Sequence, residues 1–256
     1  MSEEMEQESR EPASYELPWP RELSQGLAPG LLWAVTSFFL FLVYFWYGVA
    51  SLALMFIFFQ TQRNTPVGRA RRFYVQGRQE YRKKNYTEAL ENFHKALEIK
   101  PDATVIYPVI GDLYFFREEI AKAKKAYQDY FRRMPEDHDM RIWYAGKFLE
   151  RGQFAEAVKE LKKLPAEVRR TPQVVNLLAL CLLKSDQNKE AIQILEPAVR
   201  KNESDDEHLL TSRYFLAKAY LQDGQKETAR TLLQKLEEEH PGLEDVPQLL
   251  SSLNKQ

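Results

Sequence analysis

"YTEALENFHKALEIKP", residues 86–101, carries a small residue, Ala89, in its fourth position, and four later stretches repeat the arrangement. They are "IAKAKKAYQDYFRRMP" (120–135), "FAEAVKELKKLPAEVR" (154–169), "NKEAIQILEPAVRKNE" (188–203) and "KETARTLLQKLEEEHP" (226–241). The shared small residues are Ala89, Ala123, Ala157, Ala191 and Ala229, spaced by 34, 34, 34 and 38 residues. Twelve positions before each stands another, Gly77, Gly111, Ala145, Ala179 or Ala217. Two antiparallel helices approach closely only where their facing positions are small and large side chains fill the space beside them. The large neighbours recur as well: Phe73 and Phe93; Tyr107, Tyr114 and Tyr127; Tyr144, Phe148 and Leu161; Leu178, Leu182 and Leu195; Leu216, Tyr220 and Leu233. The pattern predicts an all-α chain built from five helix-turn-helix units, with turns marked by stretches such as "ERGQF" and "QDGQK".

From about Ala70 to Gly242 the chain resembles the tetratricopeptide repeat (TPR) family, whose period is 34 residues. The resemblance implies an α-solenoid with repeats at 70–103, 104–137, 138–171, 172–205 and 210–243. Residues 244–256 would then form a capping helix that hides the last apolar face. The longer final spacing puts an extended loop at "KNESDDEH" (201–208). Pro101, Pro135 and Pro241 stand where family members end their second helices. Several positions depart from the family pattern. Tyr130, Leu164 and Leu236 replace a usual alanine, and Arg141 and Arg213 replace the first large residue. Pro165 and Pro197 fall inside second helices and are expected to shorten or kink them.

Upstream lies "LLWAVTSFFLFLVYFWYGVASLALMFIFF", residues 31–59, 29 residues without a charge. It is longer than a secretory apolar core, and an acidic segment precedes it, so a cleaved signal is not expected. As one helix it reaches roughly 43 Å, against about 30 Å of hydrocarbon. Two crossings need on the order of 36 to 40 apolar residues plus a turn. A single transmembrane helix over 31–59 is the expectation.

The acidic tail, residues 1–30, expected to be flexible, carries seven Glu against two Arg, a net of −5, whereas residues 60–84 carry eight basic residues against one Glu, a net of +7. The positive-inside rule then places the N-terminus outside and the repeats in the cytoplasm. This orientation suits a bacterial inner membrane, with a mitochondrial outer membrane as the alternative. Pro66 and Gly68 break the connecting linker, 60–69. Tyr44, Tyr47, Gly48 and Ser51 share one face of the spanning helix and are candidates for contact with another membrane helix.

Composition narrows the function. A formal net charge of −1 argues against a nucleic-acid partner, which would need a basic surplus. Cys181 is the only cysteine, sits in an apolar run and reads as a core residue. The four histidines show no metal-ligand spacing, and no CxxC, HExxH, GxSxG or phosphate-cradling glycine loop occurs. No catalytic residue, cofactor or metal is expected, and the chain reads as a binding protein rather than an enzyme.

The family resemblance implies a concave wall lined by first helices that receives a peptide or partner helix. Its positions correspond here to Arg71, Tyr74, Arg78 and Arg82; Val105, Asp112, Phe115 and Phe116; Asp139, Ile142 and Glu150; Asn176, Leu180 and Leu183; and Tyr214, Lys218 and Leu221. The Lys/Asn/Arg set with which some members clamp a C-terminal carboxylate is absent, its places holding Tyr74, Arg78, Asp112, Asp139 and Trp143. Arg71, Arg78 and Arg82 share a helical face suited either to anionic lipid headgroups or to an acidic partner segment. The expected function is a membrane-anchored scaffold or adaptor that binds proteins on the cytoplasmic face during assembly of a membrane-associated complex. A permanent subunit of a large membrane machine and a mitochondrial import-type receptor are the alternatives.

Overall fold

A computed structural model describes residues 19–20, 27–201 and 207–254. Most of the acidic tail, called flexible from sequence, and residues 202–206 of the long loop lie outside the described residues. Within them the regular structure is all helix, fourteen segments in two compact units, 1–136 and 137–256.

The first unit holds α1 (Leu27–Val43), α2 (Phe45–Asn64), α3 (Pro66–Arg82), α4 (Tyr86–Ile99), α5 (Ile106–Phe116) and α6 (Ile120–Arg133). Helices α3/α4 and α5/α6 are the first two helix pairs. A Cβ added at Gly77 would meet the Phe93 ring at 2.7 Å, and one at Gly111 the Tyr127 ring at 2.5 Å. Each glycine therefore makes room for the large residue of its partner helix, while Ala89 and Ala123 are wholly buried beside them.

The second unit holds α7 (His138–Leu149), α8 (Phe154–Leu161), a single turn α9 (Ala166–Arg169), α10 (Pro172–Lys184), α11 (Asn188–Lys201), α12 (Glu207–Gln222), α13 (Lys226–Glu239) and α14 (Val246–Asn254). Here alanine replaces glycine at the close approach, and Ala145, Ala157, Ala179, Ala191, Ala217 and Ala229 are all buried. The last pair packs Tyr214, Leu233 and Leu236 under Val246 and Leu253 of α14, which closes the end of the stack. Helix α8 ends at Leu161, ahead of Pro165, which starts the single turn α9. Pro197 lies within α11 without ending it.

The turn inside each pair follows one design. Lys84, Glu118, Gly152, Asp186 and Gly224 all have positive φ, between 57° and 83°. The next residue's amide donates to a carbonyl five residues back, from Asn85 to Glu80, Glu119 to Tyr114, Gln153 to Phe148, Gln187 to Leu182 and Gln225 to Tyr220, each at 2.9 Å. The positive-φ residue itself donates three residues back, at 2.9 to 3.3 Å. This pair of bonds is the Schellman closure, which satisfies carbonyls that a helix end otherwise leaves open. Only two of the five positions hold glycine, the residue that adopts this conformation without steric cost.

The apolar run departs from expectation. Residues 31–59 do not form one helix, because Tyr44 is extended (φ −139°, ψ 96°) and separates α1 from α2. The two helices fold back on each other. Trp33 Nε1 donates to Ser51 Oγ at 3.1 Å, Ser37 and Ser51 hydroxyls lie 2.6 Å apart, and Trp33 and Phe58 rings are 5.7 Å apart. Nearer the tip Gly48 presses on Phe41 so closely that no Cβ fits. Uncharged sequence extends beyond the apolar run on both sides, from Leu23 to Gln62, 40 residues. The expected linker 60–69 is also mostly helix. Helix α2 continues to Asn64, the chain bends at Thr65, and the Thr65 hydroxyl accepts from the Gly68 amide at 3.0 Å to cap α3, with Pro66 in its first turn.

Candidate functional site

In the first repeat, Tyr74 is buried on α3 with its ring 5.8 Å from Phe93. Its outer face is covered by a residue from the other side of the apolar run. Trp19 meets it edge-on at 5.6 Å, and the Arg78 guanidinium lies 5.9 Å from the centre of each ring. Pro20 beside it is buried. Burial pushes the Tyr74 hydroxyl up to about 12, with the Arg78 charge pulling the other way. Arg71 is half-buried and Arg82 exposed on the same helix. The aromatic partner of this site, Trp19, was not among the residues singled out from sequence; the only signal was a tryptophan between two prolines, "LPWP", in an otherwise charged tail.

The second repeat offers less surface than its sequence suggested. Helix α5, "IYPVIGDLYFF", is apolar nearly all round and is accordingly buried on most sides. Asp112 accepts a 2.6 Å hydrogen bond from the Tyr127 hydroxyl, and Phe115 packs its ring against Tyr127, so both belong to the core rather than to a groove. Val105 precedes the helix and is half-buried. Phe116 is half-exposed and lies edge-on to Tyr86 at 4.9 Å.

In the second unit, three expected groove residues are joints between repeats. Asn176 donates to the His208 carbonyl at 2.8 Å and accepts from the Ser212 hydroxyl at 2.6 Å, tying α10 to α12. Tyr214 donates to Asp245 at 2.6 Å, while Lys218 reaches the Tyr214 hydroxyl at 2.9 Å and Asp245 at 3.3 Å, fixing α12 to the segment before α14. Burial and the Asp245 hydrogen bond together raise the Tyr214 hydroxyl above its ordinary range. Leu183 is buried. Ile142, Leu180 and Leu221 are half-exposed, and Asp139 and Glu150 are exposed, with Lys147 3.4 Å from Glu150. Among the described residues no group of three His, Cys, Asp or Glu is placed to hold a metal ion. Cys181 is buried, and burial pushes its thiol up to about 11, which suppresses the reactive thiolate.

In the apolar hairpin the four residues expected to meet another membrane helix divide. Gly48 and Ser51 meet α1 of their own chain, and Tyr44 and Tyr47 are exposed at the tip, 5.8 Å apart edge-to-face. Among the described residues the hairpin's exposed side chains are mainly large and apolar, with Leu32, Phe38, Phe39, Leu42, Trp46, Leu54, Phe56 and Ile57 exposed. Among the described residues one helix, α2, is long and apolar enough by length and composition to cross a membrane.

A tetratricopeptide repeat family profile matches residues 117–181 and again 182–253, together more than half of the chain. No curated protein matches it by sequence. Among solved structures it is similar to the C-terminal part of a TPR repeat-containing protein from Cytophaga hutchinsonii, at 16% identity over 87% of this chain and 85% of that one, with a TM-score of 0.54. It is also similar to YrrB, described as a TPR protein with an unusual peptide-binding site, at 17% identity over 72% of this chain and 91% of that one, with a TM-score of 0.51. Both likenesses are of fold.

Proposed function

We propose, from the premise that this chain belongs to the tetratricopeptide repeat family, that it is a scaffold held in a membrane by residues 27–64, whose repeats bind protein segments on the cytoplasmic face. The observation that carries the reading is the contrast between two surfaces. The hairpin exposes many large apolar side chains between Leu32 and Phe59, which water penalises and a bilayer rewards by roughly 25 cal/mol per Å² buried. The repeats expose charge, and among it stand half-buried apolar residues on first helices, Ile142, Leu180 and Leu221.

A peptide or an amphipathic helix suits such a face, since its apolar side chains cover these residues while its ends reach charges such as Asp139 and Glu150. The peptide-binding site described for YrrB supports that ligand class. The eight basic residues in 60–84 support a cytoplasmic position, where they would also be drawn to anionic headgroups. Assembly of a membrane-associated complex is the role that fits a tethered protein-binding surface.

Photo-crosslinking in membranes tests this. A photoreactive residue at Leu180 or Leu221 is expected to capture a protein of defined size, whereas one at Lys125 or Lys159 on second helices is not. Equal, diffuse labelling from all four positions would refute it.

A further inference from the structure

We infer that the first repeat's groove face is filled by the chain's own tail at Trp19–Pro20, and that residues 27–64 enter the membrane as a hairpin returning the chain to the side it left. The inference rests on the membrane reading above and revises the single-crossing, N-outside topology expected from the flanking charges.

Two independent observations carry it. Trp19 precedes the apolar segment and Tyr74 follows it, yet their rings are 5.6 Å apart with Arg78 over both. A single crossing would separate them by about 30 Å of hydrocarbon. The second observation lies inside the hairpin. In lipid every polar group needs a partner within the protein, and here Ser37 bonds to Ser51 and to the Trp33 carbonyl, Trp33 Nε1 to Ser51, and Thr36 to the Trp33 carbonyl. Polar atoms face inward or close on their own helix, and large apolar side chains face outward, the reverse of a water-soluble helix pair.

Length and charge agree. Helices α1 and α2 have 17 and 20 residues, and the polar residues 60–64 of α2 sit at the near interface. The arms then reach about 26 and 22 Å at roughly 1.5 Å per residue, a span that a locally thinned bilayer meets. The tip then meets the far interface, where Tyr44, Trp46 and Tyr47 are the amphipathic aromatics that interfaces favour. It carries no Lys or Arg, so Arg10 and Arg21 join the eight basic residues of 60–84 on one face, as the positive-inside rule favours. The tail's seven Glu are then on the same side of the membrane as Arg71, Arg78 and Arg82. An external ligand would consequently meet an occupied surface at Tyr74 and Arg78.

The test uses the full chain in sealed vesicles of one orientation, with Cys181→Ala and single reporters Ser14→Cys, Ser251→Cys or Trp46→Cys, probed with a membrane-impermeant maleimide. The expected result is labelling of Ser14→Cys and Ser251→Cys from the same side, with Trp46→Cys labelled from the other. Labelling of Ser14→Cys and Ser251→Cys from opposite sides in carbonate-resistant protein overturns the hairpin alone. Release of the chain by alkaline carbonate overturns the membrane reading and the hairpin with it. For the docked tail, a benzophenone residue in place of Trp19, in the chain with Tyr74 and Arg78 intact, is expected to crosslink within the chain to α3 in membranes. Failure to crosslink while the reporters label from one side would remove the tail from the groove.

Discussion

Alanine at Gly111 and alanine at Gly146 are expected to shift stability in opposite directions, although both glycines sit inside the first helix of a repeat. Either change gains about 1 kcal/mol of helix propensity. At Gly146 nothing lies within 4 Å of the new methyl, so the gain is kept. At Gly111 the methyl arrives 2.5 Å from Cε2 and 2.6 Å from Cδ2 of Tyr127, well inside the roughly 3.5–4.0 Å of ordinary carbon contact. Tyr127 has little freedom to move aside. It is fully buried, its hydroxyl is fixed to Asp112 at 2.6 Å, and its ring packs on Phe115 and Phe131. Overpacking of this kind costs about 1–3 kcal/mol, leaving a net loss of about 1 kcal/mol for Gly111→Ala and a gap of about 2 kcal/mol between the variants. Urea unfolding of the detergent-solubilised chain, followed by far-ultraviolet circular dichroism, reads the shift, and an unchanged slope keeps the comparison valid. Stabilisation by both substitutions would refute the close-approach account of these repeats.

The left-handed turn residues give a second prediction. Lys84→Gly relieves a conformation costing an L-residue about 1–2 kcal/mol, less the extra chain entropy of glycine of about 0.5–1 kcal/mol, so the urea midpoint should rise. Asp186→Gly should gain less, because aspartate tolerates that region. Ser212→Ala removes the donor to buried Asn176 Oδ1 and is expected to cost about 1–3 kcal/mol, measurable as earlier unfolding of the last two repeats by hydrogen exchange. His94 is a pH reporter. Although the side chain keeps an exposed edge, desolvation of the ring, with a smaller push from Lys122, outweighs the Glu98 charge and holds its pKa below the ordinary value. Its contribution to stability is therefore complete above the unfolded value of about 6.5 and is lost as pH falls through that value toward the lower folded one. His94→Gln should flatten the dependence of thermal midpoint on pH between neutrality and mild acid, and an unchanged profile would contradict the assignment.

The repeats were legible because their determinant is local and periodic. Small residues recur where helices touch, and each predicted alanine, from Ala89 to Ala229, is buried where the spacing put it. The turns were legible only where glycine marks them, at Gly152 and Gly224; Lys84, Glu118 and Asp186 adopt the same backbone because helices on both sides impose it. Groove residues were less legible, since position within a repeat does not say whether the next element covers it. Asn176 and Tyr214 are spent on neighbouring helices, and Phe115 is enclosed because α5 has no polar face. The hairpin was missed for a related reason. Hydropathy does not register a break at Tyr44, a residue with no special backbone preference, and what turns the chain is the pairing of Ser37, Gly48 and Ser51 across it.

Flotation of vesicles after an alkaline carbonate wash is the most direct measurement, comparing the full chain with a variant in which Phe38, Phe39, Phe56 and Ile57 are all Glu. The unmodified chain is expected to float with lipid while the variant remains in the dense fraction with its helical circular dichroism retained. Recovery of the unmodified chain in the dense fraction would contradict the claim that this apolar surface is made for a bilayer.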